Sequence, residues 1–134
     1  MKRLLLLLAL APACGDKDSP SESGDTATYT ELREIDLGTY HLMWAPDPDP
    51  IPFNDYFDVT VTVTEGGNPV SDATVNIAGQ MPVHGHGMNV DPQVTNNGDG
   101  TYTASGLLFH MEGHWQLLVD VGEQQAVFDI TCCS

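Results

Sequence analysis

Lysine and arginine are nearly missing from this chain, four in all against 19 Asp and Glu, for a formal net charge of −15. Two of the four, Lys2 and Arg3, sit ahead of the apolar run Leu4–Leu10. A chain processed after that run keeps only Lys17 and Arg33, and loses those two positive charges from −15 to reach −17. Binding a nucleic-acid backbone needs Lys or Arg to neutralise phosphates, so that class of partner is excluded. The acidity suits an extracytoplasmic surface, and its field draws cations inward. No apolar stretch reaches the roughly 20 residues of a membrane-spanning helix, and no segment carries helical periodicity. A Ser/His/Asp arrangement, a phosphate loop and a zinc-protease helix motif are also missing, so an enzyme is not expected.

The first residues read as an export signal. Met1-Lys2-Arg3 supplies a positive start, Leu4 to Leu10 an apolar core, and Ala11-Pro12-Ala13 small residues before Cys14. A Cys directly after small residues, followed by Gly15 and Asp16, resembles the lipobox of bacterial lipoproteins. The resemblance implies a signal peptide over residues 1–13 and a lipidated Cys14, palmitate included. The mature protein would then be anchored to a membrane of the bacterial cell envelope, facing the periplasm or the cell exterior. Residues 15–31, rich in Ser, Asp, Gly and Thr, bury too little to offset their ordering entropy and read as a flexible polar tether. Residues 32–134 remain for one small domain.

That domain reads as all-β. Tyr56 to Thr64 alternates strictly, with Phe57, Val59, Val61 and Val63 on one face and Asp58, Thr60, Thr62 and Thr64 on the other. Leu37–Trp44, Ala73–Ala78, Thr101–Leu107, Trp115–Val121 and Gln125–Thr131 are further strands, separated by turns such as Gly66-Gly67-Asn68-Pro69 and Asn97-Gly98-Asp99-Gly100. About seven short antiparallel strands at this spacing predict a small Ig-like β-sandwich.

Histidine is scarce, and its placement is uneven. Four of the five (His84, His86, His110, His114) fall in two short stretches, MPVHGHGM at 81–88 and FHMEGHW at 109–115. The same stretches hold Met81, Met88 and Met111. Imidazole with thioether is a ligand set suited to copper, whereas thioether adds nothing to a zinc site. In an extended segment His84, His86 and Met88 share one face, with Gly85 and Gly87 leaving the backbone open between them. His84, His86 and Met111 supply three copper ligands if the two loops meet at one end of the sandwich. Met88, His110 and His114 are further candidates, and Trp115 is expected to root the second loop in the core. His41 and Met43 share a face of the first strand and are expected to serve strand packing.

The ordered run PVSDATVNIAGQMPVHGHGM, then DGTYTASGLLFHMEGHWQLLVDV, resembles the YtkA-like family, relatives of the FixH proteins associated with copper and cytochrome oxidase assembly. The resemblance covers roughly residues 37–130 and implies the sandwich, with Met81 fitting equally as a scaffold residue. A lipid anchor is also how other bacterial copper chaperones are held at a membrane. The expectation is a lipid-anchored copper chaperone or copper buffer whose partners are the metal ion and a copper-accepting protein. The competing expectation is a structural or protein-interaction module without metal. Cys132 and Cys133 stand apart: such a pair can close a disulfide, bridge another chain, or bind a soft metal as thiolates.

Overall fold

A computed structural model describes residues 29–133. The expected signal peptide, Cys14 and the tether as far as residue 28 lie outside the described residues. Ten strands follow in order: β1 (Glu34–Asp36), β2 (His41–Asp47), β3 (Tyr56–Glu65), β4 (Asn68–Pro69), β5 (Val75–Met81), β6 (His86–Gly87), β7 (Gln93–Asn96), β8 (Thr101–Leu108), β9 (Gly113–Val121) and β10 (Gln124–Cys132). One antiparallel sheet runs β1-β2-β3-β8-β7, with β4 also paired to β3. The other runs β10-β9-β5-β6. Face to face, the two sheets make the expected all-β sandwich.

The alternation in β3 places Phe57, Val59, Val61 and Val63 in the core, all 2% exposed or less. Opposite them, β9 contributes Trp115, Leu117, Val119 and Val121, and β10 contributes Ala126, Phe128 and Ile130. Each Val, Leu, Ile or Phe among them stabilises by about 1.5–3 kcal/mol on burial. Trp44 of β2 meets Phe128 of β10 across the interface, with ring centres 5.9 Å apart.

The first strand departs from expectation. Leu37–Trp44 is not continuous: the Leu37 amide donates to the Tyr40 carbonyl at 2.8 Å, and Gly38 takes a left-handed φ of +85°. Only glycine adopts that conformation without strain, so the chain reverses there into a β1–β2 hairpin. Register then pairs Asp36 with His41 and Glu34 with Met43 on the outer face. His41 and Met43 therefore do share a face, as alternation predicts, but Met43 is exposed and His41 is held by carboxylates. The His41 Nδ1 lies 2.9 Å from Asp36 Oδ1 and Nε2 lies 3.6 Å from Glu34 Oε2. Residues 29–31, expected within the tether, touch the domain: Glu31 pairs with Arg33, and Tyr29 stacks on His114.

Tyr102 of β8 fastens the loop between β4 and β5. Its hydroxyl donates to the Val70 carbonyl at 2.7 Å and accepts from the Ala73 amide at 3.0 Å, with the side chain 1% exposed. Tyr102→Phe leaves both backbone groups without that partner and is expected to lower unfolding free energy by about 1–3 kcal/mol in a denaturant titration.

The Asp36 hydrogen bond, helped by the charges of Asp36 and Glu34, raises the His41 pKa above its ordinary value despite some desolvation. The contribution of this pairing is complete below the unfolded value of about 6.5 and fades as pH rises through the folded one. In an NMR titration His41 is expected to deprotonate at higher pH than a free imidazole, and Asp36→Asn to move it back down.

Candidate metal centre

The first cluster is a hairpin connection. Pro82 to Gly85 form the loop between β5 and β6, where the Gly85 amide donates to the Met81 carbonyl at 2.9 Å. Pro82 presets φ for the turn, and Gly85 supplies the left-handed φ of +68° that closes it. His84 therefore rides on a turn and not on an extended strand, which corrects the expectation that it alternates regularly with His86 and Met88. The register pairs Met81 with His86 and Gln80 with Gly87. Directly paired residues share a face, and Met81 is fully buried, so His86 projects inward at the sheet edge.

There His86 meets the second cluster. Trp115, at the start of β9, is fully buried, as expected of the root of that loop. Its indole stacks on Phe109 with ring centres 4.4 Å apart, and its Nε1 donates to the Met111 carbonyl at 2.9 Å. This bond pins the loop that carries His110 and Met111. Both His86 and His110 set their rings at 75° to the indole, with centres at 6.3 Å and 5.6 Å.

Three histidines thus form a row. His86 lies in the middle, 5.5 Å from His110 and 5.8 Å from His84 between ring centres. Two imidazoles on one ion, with nitrogen–metal bonds of about 2.0 Å, place their centres roughly 5–6 Å apart. Both spacings suit shared ligation in pairs around His86. The His86 Nδ1 lies 2.9 Å from the Gly87 carbonyl oxygen. A carbonyl only accepts, so Nδ1 carries the hydrogen and Nε2 keeps its lone pair for a ligand. The Nδ1 of His110 is buried and has no hydrogen-bond partner. Such a nitrogen in a protein interior is costly unless something occupies it. Among the described residues no three His, Cys, Asp or Glu side chains converge as a metal cage, so thioethers or backbone would have to complete any coordination shell.

The methionines divide. Met88 is half-buried, and its thioether lies over Gly79 of β5. A Cβ at Gly79 would stand 3.1 Å from Met88 Sδ and 3.0 Å from Phe109 Cε1, so glycine is what admits both. Met111 is partly buried against the core beside His110 in the chain. Met81 is wholly a core residue, its methyl filling the space beside Gly113.

His114 is not brought to the row. It neighbours Trp115 in β9, and adjacent strand residues point to opposite faces. With Trp115 inward, His114 faces outward, where its Nε2 donates to Asp129 Oδ1 at 2.7 Å and Tyr29 stacks on its ring at 3.6 Å. Gln116 extends that network, donating to Asp129 at 3.2 Å and accepting from Gln80 at 2.9 Å. Sequence reading missed Asp129 and Phe109 as participants. The first depends on the β9–β10 register and the second on the packing between sheets, and neither leaves a local motif. Gly79→Ala is expected to displace Met88 and lower stability by about 1–3 kcal/mol, read by denaturant unfolding and by the Met88 methyl NMR signal.

No curated protein matches the chain. A crystal structure of a DUF4426 family protein from Pseudomonas aeruginosa PAO1 is similar at a TM-score of 0.49 and 13% identity, over 74% of this chain and 93% of that one. The YtkA-like family model matches residues 39–120, from the turn before β2 into β9, including both His/Met stretches. The chain therefore belongs to the YtkA-like family.

Proposed function

We propose that this is a lipid-anchored, extracytoplasmic metal-binding protein, a copper chaperone or copper buffer that loads at the His84–His86–His110 row. The observation that carries the reading is the meeting of His86 and His110 from two loops with ring centres 5.5 Å apart, the His86 Nδ1 fixed on a backbone carbonyl and the His110 Nδ1 buried without a hydrogen-bond partner, as the Nδ1 of His114 also is on the other face. Together His86 and His110 offer two oriented imidazole nitrogens on a rigid aromatic floor. Met88 and Met111, on the flanks of the same two loops, are the thioethers available to favour Cu(I). Copper is the group these donors suit, and the chain's part is to hold and release it. His114, engaged by Asp129, contributes no ligand in this reading. The acidic surface favours arrival of a cation, and a copper-accepting protein would receive it. Lipid on Cys14 would hold the domain at the envelope membrane while the tether gives it reach.

A non-enzymatic interaction module is the competing reading. The observation that favours it is the groove beside the β5–β6 hairpin, lined by Gln80, Pro82, His86, Gly87 and Leu118. The two separate in one experiment: anaerobic Cu(I) titration of the purified protein against a chromogenic chelator. Copper handling predicts binding tighter than micromolar, weakened roughly tenfold or more by His86→Ala and by His110→Ala and little changed by His114→Ala. Affinity no tighter than micromolar, or full binding after His84→Ala with His86→Ala, would leave the interaction module as the better account.

A further inference from the structure

The two cysteines that end β10 are joined to each other as a disulfide, and their surroundings differ. Cys132 is 5% exposed, on the core side of β10, paired in register with Gly113. Cys133 is half-buried and lines a cavity of about 80 Å³ with Ile51, Ile130, Thr131, Glu31 and Arg33. Space of this size holds more than one water, and so admits the CH2–S tip of a thiol. Arg33 is the only Lys or Arg in residues 29–133. It is fixed in the wall by Glu31 at 2.5 Å and Asp49 at 3.3 Å, with its guanidinium 4.3 Å over the Trp44 ring.

We propose that Cys132–Cys133 is a thiol–disulfide exchange site, entered at Cys133 through this cavity, for a small thiol of the glutathione type. An arriving thiol reacts as its thiolate, an anion, and the rest of the domain's charged side chains repel it. At this cavity a guanidinium stands in the wall, its charge shared with Glu31 and Asp49, and it is the one Lys or Arg among the described residues that can meet the sulfur. The thiolate sulfur attacks Cys133 Sγ, forming a mixed disulfide as the Cys132–Cys133 bond breaks. The bonding pair leaves on the Cys132 sulfur, which takes up the proton that the attacking thiol gave to water. A second thiolate then attacks the small-molecule sulfur of the mixed disulfide. That step releases the oxidised small disulfide and a Cys133 thiolate, which is protonated in turn. Two thiols are oxidised to one disulfide while the protein pair is reduced to two thiols, and the reverse sequence restores it. Attack is directed to Cys133 because Cys132 is buried on the core side.

The test uses the full chain with Cys14→Ser, so that the pair holds its only cysteines, kept metal-free with a chelator. This makes the outcome independent of the copper reading. Native protein is treated with reduced glutathione, quenched with iodoacetamide, and mapped by tandem mass spectrometry. The expected product carries glutathione on Cys133 and carbamidomethyl on Cys132. Arg33→Gln is expected to slow its formation several-fold, with circular dichroism checking the fold and Arg33→Lys restoring the rate. Reaction only after denaturant, an adduct on Cys132, or a rate indifferent to the charge at residue 33 would each overturn the proposal.

Discussion

The candidate site depends on the stack between Trp115 and Phe109. Phe109 follows the last residue of β8 in one sheet, and Trp115 lies near the start of β9 in the other, so this contact ties the sheets together at the end where the histidines gather. Phe109 also packs edge-on against Phe57 at 4.9 Å, which extends the tie into the middle of the core. Aromatic pairs of this kind add about 0.5–1.5 kcal/mol beyond their buried area. More important here is direction. With the indole fixed, its Nε1 holds the Met111 carbonyl, and His86 and His110 have a common surface to lean on. A softer floor would leave two histidine loops with no defined separation.

The same anchoring explains why neighbouring histidines have different fates. His110 and His114 are four residues apart and looked equivalent as ligands. The inward turn of Trp115 sends His114 to the opposite face of β9, where Asp129 and Tyr29 engage it. His84 and His86 differ in another way. The Pro82–Gly85 loop takes His84 out of the strand, while register with buried Met81 takes His86 inward. Charge is arranged with comparable economy. The one arginine of the described residues lies over Trp44 at a cavity by the terminal cysteines, where Glu31 and Asp49 hold it.

Much of the fold was legible because strand alternation is a local signal. Phe57, Val59, Val61 and Val63 announced a half-buried strand, and they line the core. Other edges were less legible. Leu37–Trp44 reads as one strand because Gly38 alone is a weak turn signal, and the hairpin shows only in the Leu37–Tyr40 hydrogen bond and the β1–β2 pairing. Strand β6 has two residues and exists only because β5 offers it an edge. In sequence Phe109 is one apolar residue beside a histidine, and its partner Trp115 lies in the other sheet.

By itself the sequence determined the all-β class, the faces of the long strands, the family and the two stretches rich in His and Met. Those properties reside in nearest-neighbour periodicity and in residue identity, so they survive without a folded chain. Which histidines meet was decided only by the tertiary structure. Strand register has a period of two, and a shift of one residue exchanges the inward and outward sets. The packing of Trp115 selects one of those alternatives, placing His86 and His110 together and His114 apart. No spacing along the chain encodes that selection, because it rests on contacts between strands distant in sequence.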